Sequence, residues 1–104
     1  MEARPEEALK QIGLARLITD HVTFAYLSDV YVLPDYRGYG LAKWLISCVK
    51  DILQAHPALR RAMLLTGSER LMDFYKKELG VWDMKGEHVN VMSRRGFGAD
   101  QKPW

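Results

Sequence analysis

Apolar positions along this chain change their period several times. "IGLARLIT" (12–19) is rich in apolar and β-branched residues and reads as a strand. A short turn at "DH" (20–21) separates it from "TFAYLSDVYVL" (23–33), a longer strand, and the two make a hairpin. Pro34 ends the second strand, because proline brings no donor to a ladder. From about Gly40 to Ala55 the period becomes helical. Leu41, Leu45, Cys48, Val49, Ile52 and Leu53 fall three or four apart on one face, and Pro57 marks the end. "RAMLLT" (61–66) is a nearly continuous apolar run and reads as a strand buried on both faces. Ser68 is an N-cap for a second helix that carries Leu71, Phe74, Tyr75 and Leu79 and stops at Gly80. "VWDM" (81–84) and "HVNVMS" (88–93) read as two short strands, and "RRGFGADQKPW" as loop. Residues 1 to 10 are polar and suit one helical turn or no fixed structure.

The element order is β-β-α-β-α-β-β. That order predicts an α/β (α+β) fold: a mixed, mostly antiparallel sheet with a central parallel βαβ unit and helices packed on its faces. With 104 residues the chain fits a single domain, 1–104. Hydrophobic residues at 48% and charged residues at 27% fit an ordinary soluble globular domain. A net charge of +2 is too mild to argue for a nucleic-acid partner, but it suits a small anionic ligand where positive charge is local. The single cysteine, Cys48, forms no internal disulfide, which fits a reducing compartment. The start lacks a secretory apolar region, and no run reaches the roughly 18 apolar residues of a membrane span. The expected setting is the cytoplasm, with the nucleus left open, and no membrane partner.

Chemistry concentrates where the second strand meets the first helix, at "YVLPDYRGYGLA" (31–42). The first N–H groups of a helix have no intrahelical partner and sit at the positive end of its dipole. Gly38 and Gly40 let the backbone turn sharply and approach a ligand, while Arg37 adds a cation with a planar donor fork. The combination predicts a nest for an anion such as a pyrophosphate. A Walker A loop is excluded because Lys43 is followed by Trp44. The dinucleotide fingerprint is excluded because its third glycine position holds Lys43. The pattern that fits is [RQ]-x-x-G-x-[GA], over Arg37-Gly38-Tyr39-Gly40-Leu41-Ala42.

With its flanking strand, helix and the later "FYKKELGV", this stretch resembles the GNAT superfamily of acyl-CoA-dependent N-acetyltransferases. The resemblance runs from about Ile12 to Val81 and is strongest in "DVYVLPDYRGYGLAKWL". It implies acetyl-CoA as co-substrate and a small-molecule amine or a peptide as acceptor. Its pyrophosphate would lie on residues 37 to 43: Arg37, Gly38, Tyr39, Gly40, Leu41, Ala42 and Lys43. Val30, Tyr31 and Val32 would offer backbone to the pantetheine arm, as an added strand does. Tyr75 matches the family's tyrosine that protonates the departing thiolate, although a core aromatic would show the same spacing and "YKKELG" is one residue longer than usual. Ser68 matches a polar position that contacts the coenzyme, and helix capping explains it equally.

Asp29 interrupts an apolar run, which is costly unless the carboxylate is paired or lies in a cleft. It is a candidate base for the attacking amine, and a structural partner of nearby backbone or an arginine is an equal reading. His21, His56 and His88 are widely spaced, so no metal is expected. No G-x-S-x-G elbow surrounds any serine. Family domains usually open with a strand, two helices and another strand before the equivalent of Ile12, and this sequence lacks that section. An open sheet edge at Ile12–Thr19 would invite a homodimer. Two readings follow: an N-acetyltransferase, or a catalytically silent acyl-CoA-binding or interaction module on the same fold.

Overall fold

The structure is a computed structural model and describes residues 9–96 and Gly98. Strand β1 (Gly13–Thr19) pairs antiparallel with β2 (Phe24–Val32). Helix α1 (Leu41–Gln54) crosses over to β3 (Arg61–Leu64), which runs parallel to β2. Helix α2 (Glu69–Leu79) follows. The sheet order is β1-β2-β3, a mixed sheet around a central parallel βαβ unit, as the element order predicts.

The hairpin is closed by a side chain. Asp20 Oδ1 accepts from the backbone N–H groups of Val22, Thr23 and Phe24, and Oδ2 accepts from the Thr23 hydroxyl. Asp20 thereby fixes residues 20 to 23 as the loop and admits His21 at φ 63°. At Gly13 the strands lie so close that an added Cβ would sit 2.8 Å from the Tyr31 carbonyl oxygen, so glycine is required by contact.

A bulge sets which residues face the core. Arg16 pairs with Asp29 and Leu17 with Leu27, leaving Ser28 as the extra residue on β2. Side chains alternate along a strand, and the extra residue resets the phase. Leu27 and Val30 therefore both join the core cluster, while Asp29 turns to the opposite face.

On the core side, Ile46 is fully buried and Val49 nearly so, packed with Leu27, Leu53, Leu64, Phe74, Tyr75 and Leu79. Both helices thus lie against one face of the sheet. The apolar stripe of α1 runs through Ile46, Val49 and Leu53, whereas Ile52, counted on that face by spacing, is half exposed. The other sheet face carries Ile18, Phe24 and Tyr31, all exposed, around an Arg16–Asp29 ion pair.

Two expected strands are absent. Residues 81–83 and 88–93 form no ladder, and Met84–Glu87 is a short 3-10 turn. Val89, Val91 and Met92 are exposed, so that run joins neither open edge of the sheet and covers no apolar face. The third strand also stops short, at Leu64, and is not buried on both faces: Arg61 and Leu65 are exposed. Among the described residues, β1 leaves its outer edge unpaired, and no helix is long and apolar enough to cross a membrane.

The loop makes a pH prediction. The Thr23 hydroxyl, then the N–H groups of Val22, Phe24 and Thr23, hold the Asp20 carboxyl well below the usual carboxylate range. A lowered folded pKa gives stability that is complete above the unfolded value of about 3.9 and is lost as pH falls below it. Melting temperatures measured between pH 6 and pH 2 will fall more steeply in the parent protein than in Asp20→Asn, which keeps an acceptor but does not titrate. Parallel curves would show that the loop contributes nothing to acid sensitivity.

Candidate functional site

The chain leaves β2 through one 3-10 turn, Pro34–Tyr36, with the Tyr36 N–H on the Leu33 carbonyl at 2.9 Å. Gly38 and Gly40 then adopt φ 89° and 77°, the left-handed region in which a Cβ is costly. Gly40 is the N-cap of α1 and supplies no side chain, and Trp44 N–H makes the first helical bond, to its carbonyl at 3.0 Å. The N–H groups of Leu41, Ala42 and Lys43 precede that bond and point out of the helix end. Open space surrounds both glycines, and a cavity of about 210 Å3 lies between the loop, Val32, Tyr36 and Phe74. A concave surface of backbone donors at a helix N-terminus can hold an anion.

The adjoining strand is unpaired on one side. β2 keeps β1 along its whole length but keeps β3 only from Phe24 to Leu27. Leu33 donates its N–H to Ile12 at 2.7 Å, so odd residues after the bulge direct main-chain groups toward β1. Val30 and Val32, which alternate with them, direct theirs toward the side that β3 has left. Tyr31 does not: its carbonyl faces Gly13. Of the three residues read as strand contacts, Val30 thus leaves both main-chain groups without a strand partner and Val32 its N–H, since the Val32 carbonyl accepts from the Arg37 side chain.

The charged groups of the loop are already engaged. Arg37 donates from Nε to the Val32 carbonyl at 2.8 Å, and its guanidinium lies 5.3 Å from the Tyr31 ring centroid. Lys43 pairs with Glu78 of α2 at 3.9 Å across the helix interface. Neither projects as an isolated cation, in contrast to the expectation for Arg37. Tyr39 is exposed at the loop tip.

Tyr75 is half-buried on α2 beside Leu64, Met72, Val81 and Trp82, with its ring edge-on to Phe74 at 5.3 Å. Burial pushes its phenol up from the ordinary value of 10.0, so it stays protonated through the neutral range. Phe74, rather than Tyr75, lines the loop cavity. Sequence reading missed Phe74 as a site residue. The signal available was its spacing of four from Glu78, which puts both on the helix face turned to the start of α1.

Ser68 caps α2, its Oγ accepting from the Leu71 N–H at 3.3 Å, and the structure therefore supports the capping reading. Asp29 pairs with Arg16 at 3.5 Å and accepts from the Ser28 hydroxyl at 3.1 Å on the sheet face away from both helices. An ion-paired, exposed carboxylate of this kind fits a structural partner better than a base. No group of three metal-ligating side chains occurs among the described residues.

A strand that parts from its neighbour and ends in a glycine-turned helix start is the arrangement that comparison with known proteins bears on. Residues 6–81 match the Acetyltransferase (GNAT) family. The chain belongs to that family. The "Putative acetyltransferase FG08082" of Gibberella zeae is 46% identical over 99 residues, covering 89% of this chain and 54% of that protein. The thialysine N-epsilon-acetyltransferase of Bos taurus is 38% identical over 60 residues, covering 57% of this chain and 35% of that protein. Among solved structures, a GNAT family acetyltransferase of Streptococcus pneumoniae superposes with TM-score 0.66 at 24% identity, covering 83% of this chain and 63% of that one. A GNAT-family structure from Xanthomonas campestris gives 0.58 at 36% identity, covering 84% of this chain and 58% of that one. This GNAT chain thus spans about half the length of the Gibberella zeae relative.

Proposed function

We propose that this GNAT chain transfers an acetyl group from acetyl-CoA to a primary amine of a small molecule or peptide. The observation that carries the reading is the junction of two sets of main-chain groups: those of Val30 with the N–H of Val32 at an unpaired edge, and the helix-start N–H groups beyond Gly40. An extended pantetheine amide fits the first as an added strand, and a pyrophosphate fits the second. The residues present therefore suit the coenzyme without an isolated basic side chain.

In this reading the acceptor nitrogen attacks the acetyl carbonyl carbon. The N–C bond forms, the C–S bond breaks, and the electron pair leaves on sulfur. Tyr75 gives its phenolic proton to that sulfur and regains one from solvent. The phenol is protonated through the neutral range, the form that the step consumes. The acceptor ammonium loses its excess proton to water, since Asp29 is held by Arg16 on the far sheet face. The name of the Bos taurus relative gives thialysine as an acceptor, which supports an amine of that size. A second reading, an acyl-CoA-binding or interaction module without turnover, is favoured by one observation: the sheet face opposite the helices is uncovered among the described residues.

Two measurements test the reading. Gly40→Val places a β-branched residue at φ 77° with no clash at Cβ, so the change acts on the loop conformation. Titration calorimetry with CoA will show affinity lower by about tenfold or more, from strain of order 1–3 kcal/mol, with cooperative melting retained. Unchanged affinity would contradict the site. Tyr75→Phe keeps the ring packing. With acetyl-CoA and a panel of primary amines, its kcat will drop by roughly 10²–10⁴-fold at unchanged coenzyme KM. Equal turnover removes Tyr75 from the chemistry. CoA binding without turnover in the parent protein selects the silent module.

A further inference from the structure

We infer that Arg37 is a positioning residue, a main-chain staple that locks the glycine loop to the end of β2, and that its charge is dispensable for coenzyme binding. The functional half of this inference rests on the acetyl-CoA reading; the staple itself does not. Arg37 follows the 3-10 turn, where its own N–H donates to the Pro34 carbonyl at 3.3 Å. Its Nε–H then reaches back to the Val32 carbonyl at 2.8 Å, and the guanidinium carbon lies over the Tyr31 ring at 5.3 Å from its centroid. The Val32 carbonyl has no strand partner, because β3 has parted from β2 well before that residue. An unpaired main-chain acceptor beside a nearly buried side chain is costly, and one donor removes the cost.

The staple joins the two halves of the proposed site. On one side stand the edge groups of Val30 and the Val32 N–H; on the other stand the N–H groups that begin α1. Their separation decides whether one extended ligand engages both. Holding Arg37 on Val32 fixes that separation before the ligand arrives, which lowers the ordering cost of binding.

The covalent structures of three side chains separate the donor from the charge. In arginine the Nε–H is attached to Cδ. In glutamine the Nε2–H2 group is attached to Cδ as well. The two side chains share a donor at the same covalent reach and share no charge. Lysine shares only the charge, since its ammonium lies one bond beyond and is not planar.

The test compares Arg37→Gln, Arg37→Lys and Arg37→Met with the parent chain, by two readouts. The first is CoA affinity by titration calorimetry. The Gln variant will bind within a few-fold of the parent, while Lys and Met will bind about tenfold more weakly or worse, the loss expected for one hydrogen bond from a charged donor. Lys binding as the parent does while Gln fails would overturn the inference, because charge would then be the property in use. The second readout is amide hydrogen exchange over residues 36–43 in the ligand-free proteins. Gln will match the parent, and Lys and Met will exchange faster. Equal exchange in all four proteins overturns the staple whatever the affinities. A parent chain that binds no CoA fails the functional reading, and the exchange result then decides the staple alone.

Discussion

The parting of β2 from β3 after Leu27 is the constraint on which the rest of this molecule depends. Before that point β2 is an inner strand with both edges satisfied. Beyond it, the same strand has one satisfied edge and one free edge. The bulge at Ser28 lies at the point of parting and resets the side-chain phase, so Val30 still reaches the helices while Asp29 is turned out to Arg16. A buried strand with unmade hydrogen bonds is unfavourable unless something supplies them. In this fold the Arg37 side chain supplies one, at Val32, and in the proposed reading a ligand supplies the others.

From there to the start of α1, the groups the proposed site offers are main chain more than side-chain charge. Gly38 and Gly40 are needed for their left-handed backbone, not for space, since nothing crowds either Cα. The cations nearest the loop are tied down, Arg37 to a carbonyl and Lys43 to Glu78. A chain with a net charge of only +2 can in this way offer an anion a focused site, because oriented N–H groups act at short range and independently of net charge.

The sequence exposed the parts of this architecture that local rules govern. Both central helices, the hairpin, the glycine junction and the Ser68 cap follow from period, capping and φ preference, and the structure has them. Residues 81–84 and 88–93 misled because alternating apolar residues mark a strand only when they dock on a sheet edge, and pairing is a long-range property. Ile46 was passed over for Ile52 because an apolar stripe drifts around a helix, and only packing against Leu27 decides where it centres. The side-chain roles were least legible. Asp29 read equally as a base or as a partner of an arginine because the sequence does not display the bulge that turns it toward Arg16. Tyr31 looked like Val30 and Val32 because alternation of main-chain direction appears only once the β1 register is known.

The alternation also gives the most direct test of the central claim, that β2 offers a half-paired edge to an acyl-CoA. Amide exchange can be followed residue by residue at Val30, Tyr31 and Val32, first without ligand and then with saturating CoA. The account predicts a slow Tyr31 amide in both states, and Val30 and Val32 amides that exchange fast alone and slow on addition of CoA. Val30 and Val32 amides already protected in the free protein, or unaffected by CoA while Tyr31 responds, would contradict it.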